Sequence, residues 1–154
     1  HKTQAVVYIS MGFGNPYGEV WNTDTVAHWT QKLADMGITI LALSDTIGVS
    51  NPENINYIFS NLTKAFSAIE FGVHLHSTPA KAEEKIAAAY QSGCRRFDAA
   101  IKGFGGCPMA ADDLTGKIAT EIILDYFEKE NIVSGLNKTL FNEAYAASSL
   151  VFNH

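Results

Sequence analysis

His74 and His76 stand one residue apart in the run FGVHLHS (71–77), whose apolar residues and length predict a strand. Side chains alternate between the two faces of a strand, so both imidazoles project to one side while Val73 and Leu75 take the other. Two imidazoles about 7 Å apart along a strand can converge on one metal ion. Taken alone, such a pair is more often two hydrogen-bonded polar groups at a strand end, so the rest of the chain must decide. Two further residues could do chemistry: Asp45 in LSDTIGVSNP (43–52), and Cys107 in GFGGCPMA (103–110). An aspartate just after a strand can act on a substrate or simply close an Asx turn. A lone loop cysteine is usually an inert small side chain unless its surroundings activate it.

Positioning these groups requires ordered elements, and strand-like and helix-like runs alternate along the chain. AVVYIS (5–10) reads as a buried strand. A turn-forming stretch leads to a helix with Val26, Trp29, Leu33 and Met36 at helical spacing, cap candidates from Asn22 to Asp24, and Gly37 as its stop. ITILALS (38–44) is a second strand, followed by a helix capped by Asn51, with Pro52 in its first turn and Ile55, Ile58, Phe59, Leu62 and Phe66 on one face. FGVHLHS is the third strand, and the Ala-rich run after it is a helix closed by Gly93. RRFDAAI (95–101) is a fourth strand, followed by helices over about 118–129 and 138–150.

Four strand–helix units with short connections imply an α/β fold with parallel pairing and right-handed crossovers. Asp45, the two histidines and the glycine-rich loop all fall at carboxyl ends of strands, where (βα)8 barrels build their sites. A whole barrel needs about 250 residues, whereas the chain has 154. The expectation is therefore the C-terminal half of a TIM barrel, about four parallel βα units plus a C-terminal helix, as one partial-barrel domain over residues 1–154. The chain begins at His1 rather than at Met, which fits a piece of something longer.

Composition bounds the function classes. Apolar residues make up 47% and charged residues 18%, with mean hydropathy close to zero, as in water-soluble globular chains. No apolar run approaches the roughly 18 residues of a spanning helix, and HKTQAVVYIS lacks the regions of a signal peptide, so neither a membrane nor secretion is expected. A net charge of −5, with Arg95–Arg96 the single basic pair, argues against a nucleic-acid surface and for a small-molecule partner. Cys94 and Cys107 form no C-x-x-C pair and are expected as reduced thiols.

Three segments together resemble the metal-dependent lyases and synthases of the DRE-TIM barrel group, most closely the 3-hydroxy-3-methylglutaryl-CoA lyase branch. LSDTIGVSNP is similar to that family's L-x-D-T-I-G-V segment, VHLHST (73–78) to its V-H-x-H-D-T, and GFGGCPMA to its G-L-G-G-C-P-Y-A, with IATE (118–121) trailing them. D-T-x-G and H-x-H mark the wider group, whereas G-x-G-G-C-P marks the lyase branch. The resemblance implies that the chain corresponds to barrel strands five to eight. It implies that His74 and His76 ligate a divalent cation, Mg²⁺ or Mn²⁺, and that Cys107 and Asp45 are catalytic. It further implies that Thr78, Gly105 and Gly106 meet the substrate, an acyl-CoA, with Gly103, Gly105 and Gly106 freeing the loop to close.

The family's remaining acidic ligand lies on the first barrel strand, outside this sequence, and its asparagine ligand is replaced here by Lys117, in a register one residue longer than the family pattern. An ammonium cannot ligate and repels a dication, so either metal binding is weakened or Lys117 points away. The reaction implied is retro-Claisen cleavage to acetyl-CoA and acetoacetate, active once an N-terminal half-barrel or a second copy completes the barrel. The compartment implied is the cytoplasm, or the mitochondrial matrix if a transit peptide precedes the chain. Alternatives are a related acyl-CoA/2-oxo acid synthase, an aldolase, or an inactive half-barrel.

Overall fold

Ile40–Ser44 (β2) is buried along its whole length, as a strand covered on both faces must be. In the computed structural model, which describes residues 3–105 and 116–151, β2 is an inner strand of a four-stranded parallel sheet. Val7–Ile9 (β1) pairs on one side of it, and Glu70–His74 (β3) on the other. β3 pairs in turn with Arg96–Asp98, which is β5 in chain order. β1 and β5 are therefore the outer strands, as expected for the first and last strands of a half-barrel. Among the described residues, the remaining ladder is antiparallel, between His76–Ser77 (β4) and Gly116–Lys117 (β6).

The helices follow their strands as the periodicity predicts: Thr23–Asp35 (α1), Pro52–Ala65 (α2), Pro79–Gln91 (α3), Thr120–Lys129 (α4) and Lys138–Val151 (α5). Local chemistry sets their ends. The Asn22 side chain accepts from Thr25 N–H at the start of α1, and Asn51 and Asn54 cap α2 reciprocally, with Pro52 at the first helical position. Gly37 and Gly93 end α1 and α3 with φ of +86° and +99°, a conformation other residues reach at a cost.

The core joins the faces of these elements: Leu41, Leu43 and Val73 of the sheet against Ile55, Ile58, Phe59 and Leu62 of α2 and Ala82, Ile86 and Ala89 of α3. The inward stripe of α1 differs from the expected one. Val26 and Thr30 are buried, while Trp29 and Met36 are exposed, so the stripe is rotated by one position, with Thr30 satisfying its hydroxyl on the Val26 carbonyl at 2.9 Å. Trp29 instead covers the helix surface, under Lys32 Nζ and beside His28. On α5, Leu140, Leu150 and Val151 are exposed.

The third strand is shorter than FGVHLHS suggests. Parallel pairing stops at His74, beyond which Asp45 N–H donates to the His74 carbonyl (2.9 Å) and Ile118 N–H to the Leu75 carbonyl (3.2 Å). Beyond Leu75 the chain joins a second ladder, in which His76 pairs with Lys117 on β6. Val73 and Leu75 are still both buried in the core, on the side opposite the histidines.

Candidate active site

Ser44, His74 and Asp98 are neighbours across β2, β3 and β5 at the carboxyl ends of these strands. Tyr8, on β1, donates its hydroxyl proton to Asp98 Oδ2 at 2.6 Å and meets the His74 ring edge to face, centroids 6.1 Å apart. Three strand spacings separate β1 from β5, about 14 Å along a flat sheet. Contact between Tyr8 and Asp98 therefore requires the sheet to curl, with both residues on its concave side. A cavity of about 840 Å³ opens there, lined by Tyr8, Ser10, Ser44, Thr46, His74, His76, Asp98 and Lys117, and it continues past the free edge of β5 to α4.

The two histidine rings lie with centroids 5.2 Å apart, both on the cavity. Burial pushes the His74 pKa below its ordinary value, helped by the charges of His76 and Lys117 and opposed by Asp98 and Asp45. His74 is thus a neutral imidazole near pH 7, with a lone pair to offer. His76 Nδ1 is 2.6 Å from the Asp45 carbonyl oxygen. A carbonyl can only accept, so Nδ1 carries the proton, and in the neutral ring the lone pair is on Nε2. That Nε2 is buried and has no hydrogen-bond partner among the described residues.

An imidazole whose Nδ1–H is anchored on a carbonyl, with its bare Nε2 beside a second neutral imidazole, fits a divalent cation. Among the described residues, no group of three or more His, Cys, Asp and Glu side chains is arranged to hold one. His74 and His76 could supply two ligands, and Lys117 shares the cavity with them. Lys117 thus lies on the same cavity as the histidines, and its charge helps to lower the His74 pKa. The glycines make room for it. A Cβ on Gly103 (φ +66°) would lie 2.7 Å from the Lys117 carbonyl oxygen, and one on Gly105 (φ +89°) 3.2 Å from Lys117 Nζ.

Asp45 is not among the residues lining the cavity. It is fully buried and accepts three hydrogen bonds: from Ser50 N–H (3.1 Å), from Ser50 Oγ–H (2.5 Å) and from Lys85 Nζ (3.2 Å). Its backbone carbonyl, rather than its side chain, reaches a site residue. Thr78 is the N-cap of α3, makes no side-chain cap bond, and is not among the residues lining the cavity. Gly106 and Cys107 lie outside the described residues.

Four residues of this neighbourhood carry little or no signal in the sequence. Tyr8 shares a strand face with Ser10, and Asp98 is an acid inside a strand-like run. Lys85 falls on the buried Ala82–Ile86–Ala89 stripe of α3, an irregular place for a cation. Ser50 gave no signal.

A curled parallel sheet, helices on its outside and polar residues at the carboxyl ends of its strands define half of a (βα)8 barrel with its site at the usual end. The HMGL-like family model matches residues 5–151, and the chain belongs to that family. It is similar to hydroxymethylglutaryl-CoA lyase of Bacillus subtilis, 34% identical over 125 residues, covering 81% of this chain and 42% of the relative. It is also similar to the cytoplasmic 3-hydroxy-3-methylglutaryl-CoA lyase of Homo sapiens, 31% identical over 130 residues, covering 84% and 35%. Among solved structures, the HMG-CoA lyase of Acinetobacter baumannii in complex with coenzyme A and 3-methylmalate superposes with a TM-score of 0.85 at 29% identity. That match covers 99% of this chain and 50% of the other. The chain thus spans half or less of the length of these relatives. No helix among the described residues is long and apolar enough to cross a membrane.

Proposed function

We propose that this chain is the histidine-bearing half of a carbon–carbon lyase that cleaves a 3-hydroxyacyl-CoA, of the 3-hydroxy-3-methylglutaryl-CoA type, to acetyl-CoA and a ketone, acetoacetate. One observation carries the reading: His76, its tautomer held by the Asp45 carbonyl, presents a bare Nε2 next to neutral His74 in a cavity at the barrel's active end. Membership of the HMGL-like family and similarity to lyases over most of the chain support it.

His74 and His76 would hold Mg²⁺ or Mn²⁺, which when bound supplies Lewis-acid polarisation of the substrate's hydroxyl and carboxylate oxygens. The chain's own side chains do the rest of the positioning. Tyr8 and Asp98 present a hydroxyl and a carboxylate to the same cavity, where they orient the substrate's polar end by hydrogen bonding. In the cleavage the 3-hydroxyl loses its proton, its oxygen becomes the ketone, and the electrons of the broken carbon–carbon bond pass to the thioester's α-carbon. Cys107 delivers a proton to that carbon, giving acetyl-CoA. The base that takes the hydroxyl proton, and the acidic ligand beyond the histidines, come from the part of the barrel that completes this half, whether an N-terminal half-barrel or a second copy. The Acinetobacter relative was solved in complex with coenzyme A, and the carboxyl-end cavity is where this chain would take its thioester.

Lys117, inside the cavity, favours a second reading: a half-barrel too weak in metal affinity to be active. Acetyl-CoA release from 3-hydroxy-3-methylglutaryl-CoA with Mn²⁺ separates the two, measured for the chain alone and mixed with a matching N-terminal half. Turnover in the mixture that His76→Ala abolishes is the expected result. Formation of a stable complex without turnover would favour the inactive half-barrel.

A further inference from the structure

We propose that Lys85, a buried lysine beneath the cavity, is a positioning residue that holds His76 in its Nδ1–H tautomer by clamping the two segments that form the His76–Asp45 link. The assignment rests on the lyase reading for its purpose, though not for its geometry.

Lys85 is 3% exposed, and its Nζ reaches the His76 backbone carbonyl at 2.8 Å, Asp45 Oδ2 at 3.2 Å and the Gly48 carbonyl at 3.4 Å. An ammonium has three donors, and here each has an acceptor. Two of those acceptors belong to the residues joined by the 2.6 Å bond between His76 Nδ1 and the Asp45 carbonyl. The third lies in the turn that follows Asp45, and Ser50 closes that turn on the Asp45 carboxylate through both its N–H and its hydroxyl. One cation thus ties the backbone at His76 to the backbone and side chain of the Asp45 turn. Without it, the ring and the carbonyl that selects its tautomer sit on two segments joined by fewer bonds.

Stability alone is a poor reason for this arrangement. Dehydrating an ammonium is costly, and a buried ion pair is often no better than well-packed apolar side chains of the same volume. Lys85 stands in the apolar stripe of α3 with Ala82, Ile86 and Ala89, where methionine would fill the space without a charge. What methionine cannot do is bond the His76 carbonyl and the Asp45 carboxylate together.

The test uses the purified chain without metal. Long-range ¹H–¹⁵N spectra of His76 at pH 8 report which ring nitrogen carries the proton, and calorimetry with Mn²⁺ reports affinity. In the wild type a single Nδ1–H form is expected. In Lys85→Met, shown folded by circular dichroism, a mixture of both tautomers and at least tenfold weaker Mn²⁺ binding are expected. Exposed Lys81, on the same helix, serves as control, and Lys81→Met should change neither. Should Lys85→Met not fold, Lys85→Gln decides, since it keeps a donor for the His76 carbonyl but loses the pull on Asp45, and a mixed tautomer is again expected. A folded Lys85 variant that keeps the single Nδ1–H form overturns the proposal. A wild type with the single tautomer but no Mn²⁺ binding would instead count against the lyase reading and leave the clamp standing.

Discussion

Replacing Asp45 by alanine separates a structural carboxylate from a catalytic one. In the folded chain this carboxylate is the sole counter-charge within bonding distance of Lys85 among the described residues. Removing it leaves an ammonium that is 3% exposed facing two carbonyls and no anion. Breaking a buried pair in this way costs about 3–5 kcal/mol. Ser50 N–H and Oγ–H, both pointed at the carboxylate, also lose their acceptor, at about 1–3 kcal/mol for each buried donor left unsatisfied. The terms overlap because relaxation at one serves the other, so a net loss of about 4–6 kcal/mol is expected. Set against a typical total of about 5–15 kcal/mol, the variant should be marginal. Asp45→Asn, which keeps the shape and one acceptor, should lose about half as much. Urea unfolding followed by circular dichroism measures both. A loss below about 1 kcal/mol in Asp45→Ala, with activity abolished in the completed barrel, would refute the structural reasoning and restore Asp45 to the catalytic role its motif suggests.

Lys117→Asn should tighten Mn²⁺ binding at least tenfold by calorimetry, about 1.4 kcal/mol, since it removes a cation from the cavity and supplies a carbonyl oxygen. Unchanged affinity would mean that Lys117 plays no part at the site. Because the His74 pKa is lowered on folding, the unfolded chain binds a proton that the folded chain resists between its ordinary value, about 6.5, and the lower folded one. Stability should therefore fall as pH drops below about 6.5, and His74→Asn should remove that part of the slope in urea midpoints taken at pH 7.5, 6 and 5; an identical slope in the variant would contradict the assignment. Burial pushes the Cys94 thiol up to about 12, so at pH 8 iodoacetamide should spare Cys94 in the folded chain and modify it in urea, as mapped by mass spectrometry. Rapid native labelling at Cys94 would be inconsistent with its place in the core.

The alternation of strands and helices was legible because it rests on local chemistry: Asn51 with Pro52, the all-apolar ILALS, the glycines that stop α1 and α3. Strand alternation anticipated His74 and His76 on one cavity, although His76 belongs to β4 rather than to β3. What could not be read there depended on contacts between distant segments. The Leu75 carbonyl accepts from Ile118, 43 residues on, and the α1 stripe is set by how the helix meets the sheet rather than by its own pattern. Asp45 showed its position but not its direction. Ser50 and Lys85, which draw its carboxylate inward, look in sequence like a loop serine and one more lysine of a charged helix. Tyr8 and Asp98 sit 90 residues apart and meet because the sheet curls.

Where a divalent cation binds decides whether His74 and His76 form the metal site of a lyase. Diffraction from crystals of the completed barrel grown with Mn²⁺, recorded at the manganese absorption edge, locates the ion directly. The account predicts one anomalous peak bonded to the Nε2 atoms of both His74 and His76, at about 2.0–2.3 Å, with the His76 Nδ1–H still on the Asp45 carbonyl. A peak elsewhere with neither imidazole as ligand, or none at saturating Mn²⁺, would contradict it.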